Sequence, residues 1–109
     1  MNMVSYLFEV IDPRGNLVRL AQKQFEEHII SSHPEIKNSK LIEICVVDPD
    51  FITKDADIKL REVYFRQGIF PDNPQRYIKV VVEGANVITA YRQGRVKEGE
   101  KVIWQPSET

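Results

Sequence analysis

Residues 77–83 (YIKVVVE) alternate across the two sides of a strand, with Ile78, Val80 and Val82 on one side and Tyr77, Lys79, Val81 and Glu83 on the other. Gly84-Ala85-Asn86 then turns the chain, and residues 87–92 (VITAYR) return as an antiparallel partner. A hairpin with one apolar side cannot stand alone, so more strands and a cover are required. Residues 51–55 (FITKD) and 60–66 (LREVYFR) read as further strands, and 101–105 (KVIWQ) as an edge strand or a packed tail. Residues 4–11 and 17–20 flank Asp12-Pro13-Arg14-Gly15-Asn16, where Pro presets one dihedral and Gly-Asn tolerates positive φ. A second hairpin therefore opens the chain.

Between the hairpins the period changes. Over 21–32 (AQKQFEEHIISS), Phe25, His28 and Ile29 fall at i, i+3 and i+4 on one helical stripe, while Glu26 and Glu27 face away. The helix stops before His33, because the residue preceding Pro34 is pushed out of the α region. A second helix is expected over about 39–48, capped by Asn38 or Ser39, with Leu41, Ile44 and Cys45 on one face. Ile42, Val46 and Val47 make it apolar on more than one side, which predicts a helix sandwiched between other elements. Residues 67–75 form a Pro/Gly/Asn loop carrying Ile69 and Phe70. This order predicts an α+β fold: an N-terminal hairpin and two helices packed on a four- to five-stranded antiparallel sheet. Alternating βαβ units are absent, which argues against a Rossmann-type fold. Residues 1–105 read as a single domain and 106–109 as a frayed tail.

The 109 residues are 42% apolar and 28% charged, the balance of a globular chain rather than a disordered one. No apolar run approaches the roughly 20 residues of a bilayer span. The first twelve residues carry two acids and no Lys or Arg, unlike a secretory signal, so a cytoplasmic location is the default expectation. Cys45 is the only cysteine, which excludes an intramolecular disulfide and a cysteine-based zinc site. No Walker loop, GxGxxG, HExxH or GxSxG occurs, so neither a cofactor nor a metal is expected. Net charge is −1, unevenly spread: residues 1–58 carry six Lys/Arg against ten Asp/Glu, and residues 59–109 nine against six. The basic second half permits a local phosphate-binding surface, and ordinary solvated charge accounts for it equally well.

The segment His28-Ile29-Ile30-Ser31-Ser32-His33-Pro34-Glu35 is the most informative. His33 stands where a helix ends and a proline sets the turn, which suits an aimed, titratable imidazole or simply a ring stabilised by the helix dipole and terminal carbonyls. His28, on the apolar stripe, reads first as a partly buried, satisfied histidine. Among the strand residues Tyr64, Lys79, Thr89 and Tyr91 are polar. Thr89 and Tyr91 point to one side together with Val87, but whether that is the Lys79 side depends on register, which a one-residue slip reverses. With Arg66 or Arg92 nearby, such a patch suits a phosphodiester: cations neutralise it, hydroxyls donate to its oxygens and an imidazole moves a proton. The alternative is an amphipathic sheet with a wet side.

Val18-Arg19-Leu20, His28-Ile29, His33-Pro34-Glu35, Asp48-Pro49-Asp50-Phe51-Ile52, Tyr64, Lys79-Val80-Val81-Val82 and Val87-Ile88-Thr89-Ala90-Tyr91 occur in that order. In this succession the chain resembles the phage-type nuclease domains of the barnase/EndoU/colicin/RelE-like superfamily, over about residues 15–104. Where relatives often carry Thr-x-x-x-Trp in the first helix, this chain has Ala21 and Phe25. The resemblance implies two helices on an antiparallel sheet and a metal-independent ribonuclease site on the sheet's open face. Carried over, it implies proton transfer by His33 with His28 in support, and phosphate held by Lys79. It further implies orientation or donation by Thr89 and Tyr91, and base stacking on Tyr64. The function expected is RNA cleavage through 2′-hydroxyl attack, in a toxin-like effector of a mobile element with a neutralising protein partner. The competing expectation is a non-catalytic RNA- or protein-binding module, motivated by the basic bias and the Ile69-Phe70 loop; a homodimer and a structural role in a larger complex also stand open.

Overall fold

The computed structural model describes residues 3–94 and 100–107. Seven strands form one mixed sheet: β1 (Tyr6–Ile11), β2 (Leu17–Ala21), β3 (Phe51–Lys54), β4 (Arg61–Gln67), β5 (Tyr77–Glu83), β6 (Asn86–Gln93) and β7 (Lys101–Trp104). Their spatial order is β1-β2-β6-β5-β4-β3-β7. Two helices intervene between β2 and β3. The first, α1, covers 22–32 and the second, α2, covers Ser39–Val47, where the Asn38 side chain accepts the Lys40 N–H as an N-cap.

Every expected strand forms, yet the sheet is larger than the four to five strands expected and not wholly antiparallel. The N-terminal hairpin does not lie on the sheet but joins it: β2 runs parallel to β6 at Arg19 and Asn86, where the Arg19 N–H donates to the Ala85 carbonyl at 2.8 Å. At the far side β7 pairs with β3 as an edge strand. Single-strand patterning carries no record of these non-sequential pairings.

One face of the sheet meets both helices. Val18, Leu20, Ile52, Ile78, Val80, Val82 and Ala90 pack against Phe25, Ile29, Ile42, Cys45 and Val46 in one buried cluster. Each such Val, Leu or Ile contributes roughly 1.5–3 kcal/mol through burial. In α2 the inward stripe is Ile42, Cys45 and Val46, one step from the expected Leu41, Ile44 and Cys45; Val47 is exposed, so the helix is not sandwiched. Phe70, in the loop after β4, is buried in the same cluster. The second face carries Val63, Phe65 and Val81, with Phe51, Tyr77 and Ile88 packed on them.

Two local irregularities redirect side chains. The centre of α1, Phe25–Ile29, is π-helical: the Ile30 N–H bonds to the Phe25 carbonyl, five residues back. The wider turn keeps Phe25 and Ile29 buried but carries His28 out to solvent, against the expectation of a half-buried ring. In β6, Val87 lies opposite Val82 while Thr89 lies opposite Val81, so Ile88 is an extra residue in the ladder. Val87 therefore faces the helices, and Thr89 and Tyr91 face the other way, on the Lys79 side. The expected alignment of Val87 with that pair is wrong because the bulge lies between them.

The first hairpin is tied down by charge. Its turn uses Gly15 at φ +89°. The Asp12 carboxylate accepts the backbone N–H groups of Arg14 and Asn16, both at 2.9 Å, and the Tyr64 hydroxyl at 2.7 Å. Arg14 bridges Asp12 at 2.8 Å and Glu62 at 2.7 Å. Burial alone raises the Asp12 carboxyl, but the Tyr64 hydroxyl, the Asn16 N–H and Arg14 together outweigh it and hold it below its ordinary value. Burial, followed by the adjacent Asp12, pushes the Tyr64 phenol up. Tyr64 is 1% exposed, on the helix side of β4. Its ring is not offered for stacking, which corrects the expectation placed on it.

Candidate functional site

Because β2 touches β6 at one end only, the outer edge of β6 needs other partners, and the segment after β2 provides two of them. The Gln24 side-chain amide donates to the Ile88 carbonyl, and the Glu35 carboxylate accepts the Arg92 N–H at 3.1 Å. His33 leaves the helical region at φ −134°, ψ 72°, as a residue before proline does. The Ile36 N–H donates back to the His33 carbonyl at 3.0 Å, and Ile36 is fully buried. The His-Pro-Glu turn is thus pinned by its core residue and its strand-edge cap.

This turn lays the His33 ring on Tyr91, with centroids 5.1 Å apart and planes inclined by 29°. The Glu35 Oε2 lies 3.8 Å from His33 Nδ1, so the carboxylate stands beside that edge of the ring. Tyr91 sits directly opposite Lys79 in the ladder, and Lys79 opposite Phe65. The Lys79 ammonium lies 5.3 Å from the Tyr91 ring centroid and 5.9 Å from that of Phe65. A row of imidazole, phenol, ammonium and phenyl therefore crosses the second face. Thr89 stands two residues from Tyr91 on the same side, opposite Val81.

Of the residues marked in the sequence, the row joins His33, Tyr91 and Lys79, with Thr89 on the same side of the sheet, and leaves the others apart. His28 is exposed on α1 and has no part in it. Arg66 and Arg92 both pair with Ile78, which places them on the helix side of the sheet. Arg66 donates to the Asp48 carboxylate at 2.7 Å, and Arg92 to Asp72 at 2.9 Å. Neither guanidinium joins Lys79, because residues adjacent in a strand face opposite ways.

Lys79 itself differs from expectation. It is 8% exposed, and its ammonium lies 3.9 Å from the Glu100 carboxylate. An internal carboxylate therefore competes with a phosphate for this ammonium, which also lies against the Tyr91 ring. Glu35 and Glu100 are the residues that sequence reasoning missed. Glu35 had a signal: a carboxylate two residues after a histidine, across a proline that fixes the turn. Glu100 had none, since its approach to Lys79 depends on β6 and β7 lying at separate places in the sheet.

Fold and site together define a compact α+β domain with a seven-stranded mixed sheet, two helices and a His-Tyr-Lys row on the sheet's second face. Comparison of the chain with family models, with curated proteins and with solved structures finds no match. Among the described residues, no helix is long and apolar enough to cross a membrane.

Proposed function

We propose that this protein is a metal-independent ribonuclease of the barnase/EndoU/colicin/RelE-like kind. It cleaves RNA by attack of a ribose 2′-hydroxyl on the adjacent phosphate. The observation that carries the reading is the stacking of His33 on Tyr91 at 5.1 Å, with Glu35 beside its Nδ1. The resemblance in the order of the sequence motifs supports it. In this reading His33 takes the 2′-hydroxyl proton through Nε2, and the 2′-oxygen bonds to phosphorus as the bond to the 5′-oxygen breaks. Tyr91 gives a proton to the departing 5′-oxygen, and Thr89 orients a phosphoryl oxygen. The products are a 2′,3′-cyclic phosphate and a free 5′-hydroxyl. Glu35 is a positioning residue for His33, and Lys79 for Tyr91. The setting that suits such an activity is the cytoplasm, in a toxin-like effector of a mobile element kept in check by a protein inhibitor.

The test is purified protein on end-labelled RNA over several pH values in EDTA. Cyclic-phosphate and 5′-hydroxyl ends, lost in His33→Ala, are the expected result; intact RNA at every pH overturns the reading. One observation favours a non-catalytic RNA- or protein-binding module instead: with Lys79 beside Glu100, the centre of the row has no free cation among the described residues. RNA retention without turnover, unchanged in His33→Ala, would establish that alternative.

A further inference from the structure

On the helix side of the same His-Pro-Glu turn lies a cavity of about 540 Å³, between the start of α2 and the loop after β4. We propose that it is a nucleobase subsite for the RNA, an inference that rests on the ribonuclease reading above. Glu35 is the shared wall: it lines the cavity, caps the Arg92 N–H and stands 3.8 Å from His33 Nδ1. A ligand seated there is held next to the residue that positions the imidazole.

The lining chemistry selects the ligand. Its apolar part is Leu41, Ile69, Phe70 and Pro71. Arg92 lies over the Phe70 ring at 5.4 Å and donates to Asp72 at 2.9 Å, so its planar guanidinium forms part of the wall. Bases stack on such planes. The Asn38 Oδ1 is occupied by the Lys40 N–H, which leaves the amide nitrogen as a donor, and Glu35 is an acceptor. Lys37 and Arg92 are balanced by Glu35 and Asp72, so the cavity has no excess charge to select an ionised group. A flat, uncharged heteroaromatic with donors and acceptors on its edge meets all of these demands, and the volume lies in the usual range for small-ligand sites.

The experiment is a titration of Ile- and Leu-methyl-labelled protein, wild type and His33→Ala, followed by NMR. The probes are the four ribonucleosides, ribose 5-phosphate and inorganic phosphate. At least one nucleoside is expected to shift the Ile69 and Leu41 methyls saturably, equally in both proteins, while the two phosphates leave them unmoved. Arg92→Lys, which keeps the charge but loses the plane, should weaken that binding at least fivefold, and Ile69→Trp should abolish it by filling the space. No shift with any nucleoside, or equal shifts with phosphate, overturns the subsite. Failure of the two proposals is distinguishable: RNA cleavage without nucleoside binding sinks the subsite alone, and nucleoside binding without cleavage sinks the activity alone.

Discussion

Tyr64→Phe removes one oxygen from the centre of the molecule and leaves the ring where it is. The lost hydroxyl donates to Asp12 at 2.7 Å and accepts from Arg14 at 3.1 Å. Asp12 keeps its two backbone N–H donors and the Arg14 guanidinium, so no charge is orphaned. The cost is then one hydrogen bond to a charged group, about 2 kcal/mol. With a urea dependence of about 2 kcal/mol per molar for a chain of this size, the midpoint falls by about 1 M. The deficit should depend on pH. Because the folded Asp12 carboxyl is held below its ordinary value of 3.8, its contribution is complete above that pH and disappears as the pH drops through the lower, folded value. The gap between Tyr64→Phe and wild type should therefore narrow below about pH 4. Asp12→Asn should show strong coupling to Tyr64→Phe in a double-mutant cycle. RNA cleavage per folded molecule should be unchanged, since Tyr64 lies on the helix side. A midpoint within about 0.3 M of wild type at pH 7, or a gap that widens in acid, would refute this account of the clamp.

Glu35→Gln keeps an acceptor for the Arg92 N–H but removes the charge beside His33. Stability should hold within about 0.5 kcal/mol in urea, while cleavage shows an altered pH profile and about tenfold lower kcat. Lys79→Met keeps the stem but strands Glu100 opposite an apolar side chain; a loss of about 2 kcal/mol is expected, largely restored by adding Glu100→Gln. Burial, the first cause for each, raises both the Tyr64 phenol and the Cys45 thiol above their ordinary values of 10.0 and 9.0. Their contributions are full at neutral pH and fade above those values, so unfolding by urea should become easier from about pH 9 upward. Cys45 should react with a thiol reagent only as fast as the protein unfolds.

What could be read in the chain divides along physical lines. Strands were legible because the alternation in 77–83 and the β-branched runs elsewhere are local properties, and the capped α2 likewise needed only Asn38 and its stripe. The contacts of Tyr91 with His33 and with Lys79 depend on the proline-ended helix and on the register of the last hairpin. That register was not legible: the bulge at Ile88 decides it, and nothing in VITAYR marks an extra residue. The same holds for the π-helical turn that swings His28 outward. Sheet order was hidden for a different reason. The pairings of β2 with β6 and β3 with β7 join segments far apart in sequence, so Glu100 could not be seen facing Lys79. Tyr64 was misread because a polar aromatic in an alternating strand can belong to either side; only its burial against Asp12 shows which.

The central claim is that the imidazole laid on Tyr91 moves a proton during RNA cleavage. It is tested most directly by sequencing the ends produced from a defined RNA by wild type and His33→Ala in EDTA. The His33 side chain is 33% exposed, so its removal should leave the fold intact. The account predicts 2′,3′-cyclic phosphate and 5′-hydroxyl ends from wild type and a rate lower by on the order of 10²- to 10⁴-fold in the folded variant. Cleavage at the wild-type rate by His33→Ala, or no cleavage by either protein, would contradict it.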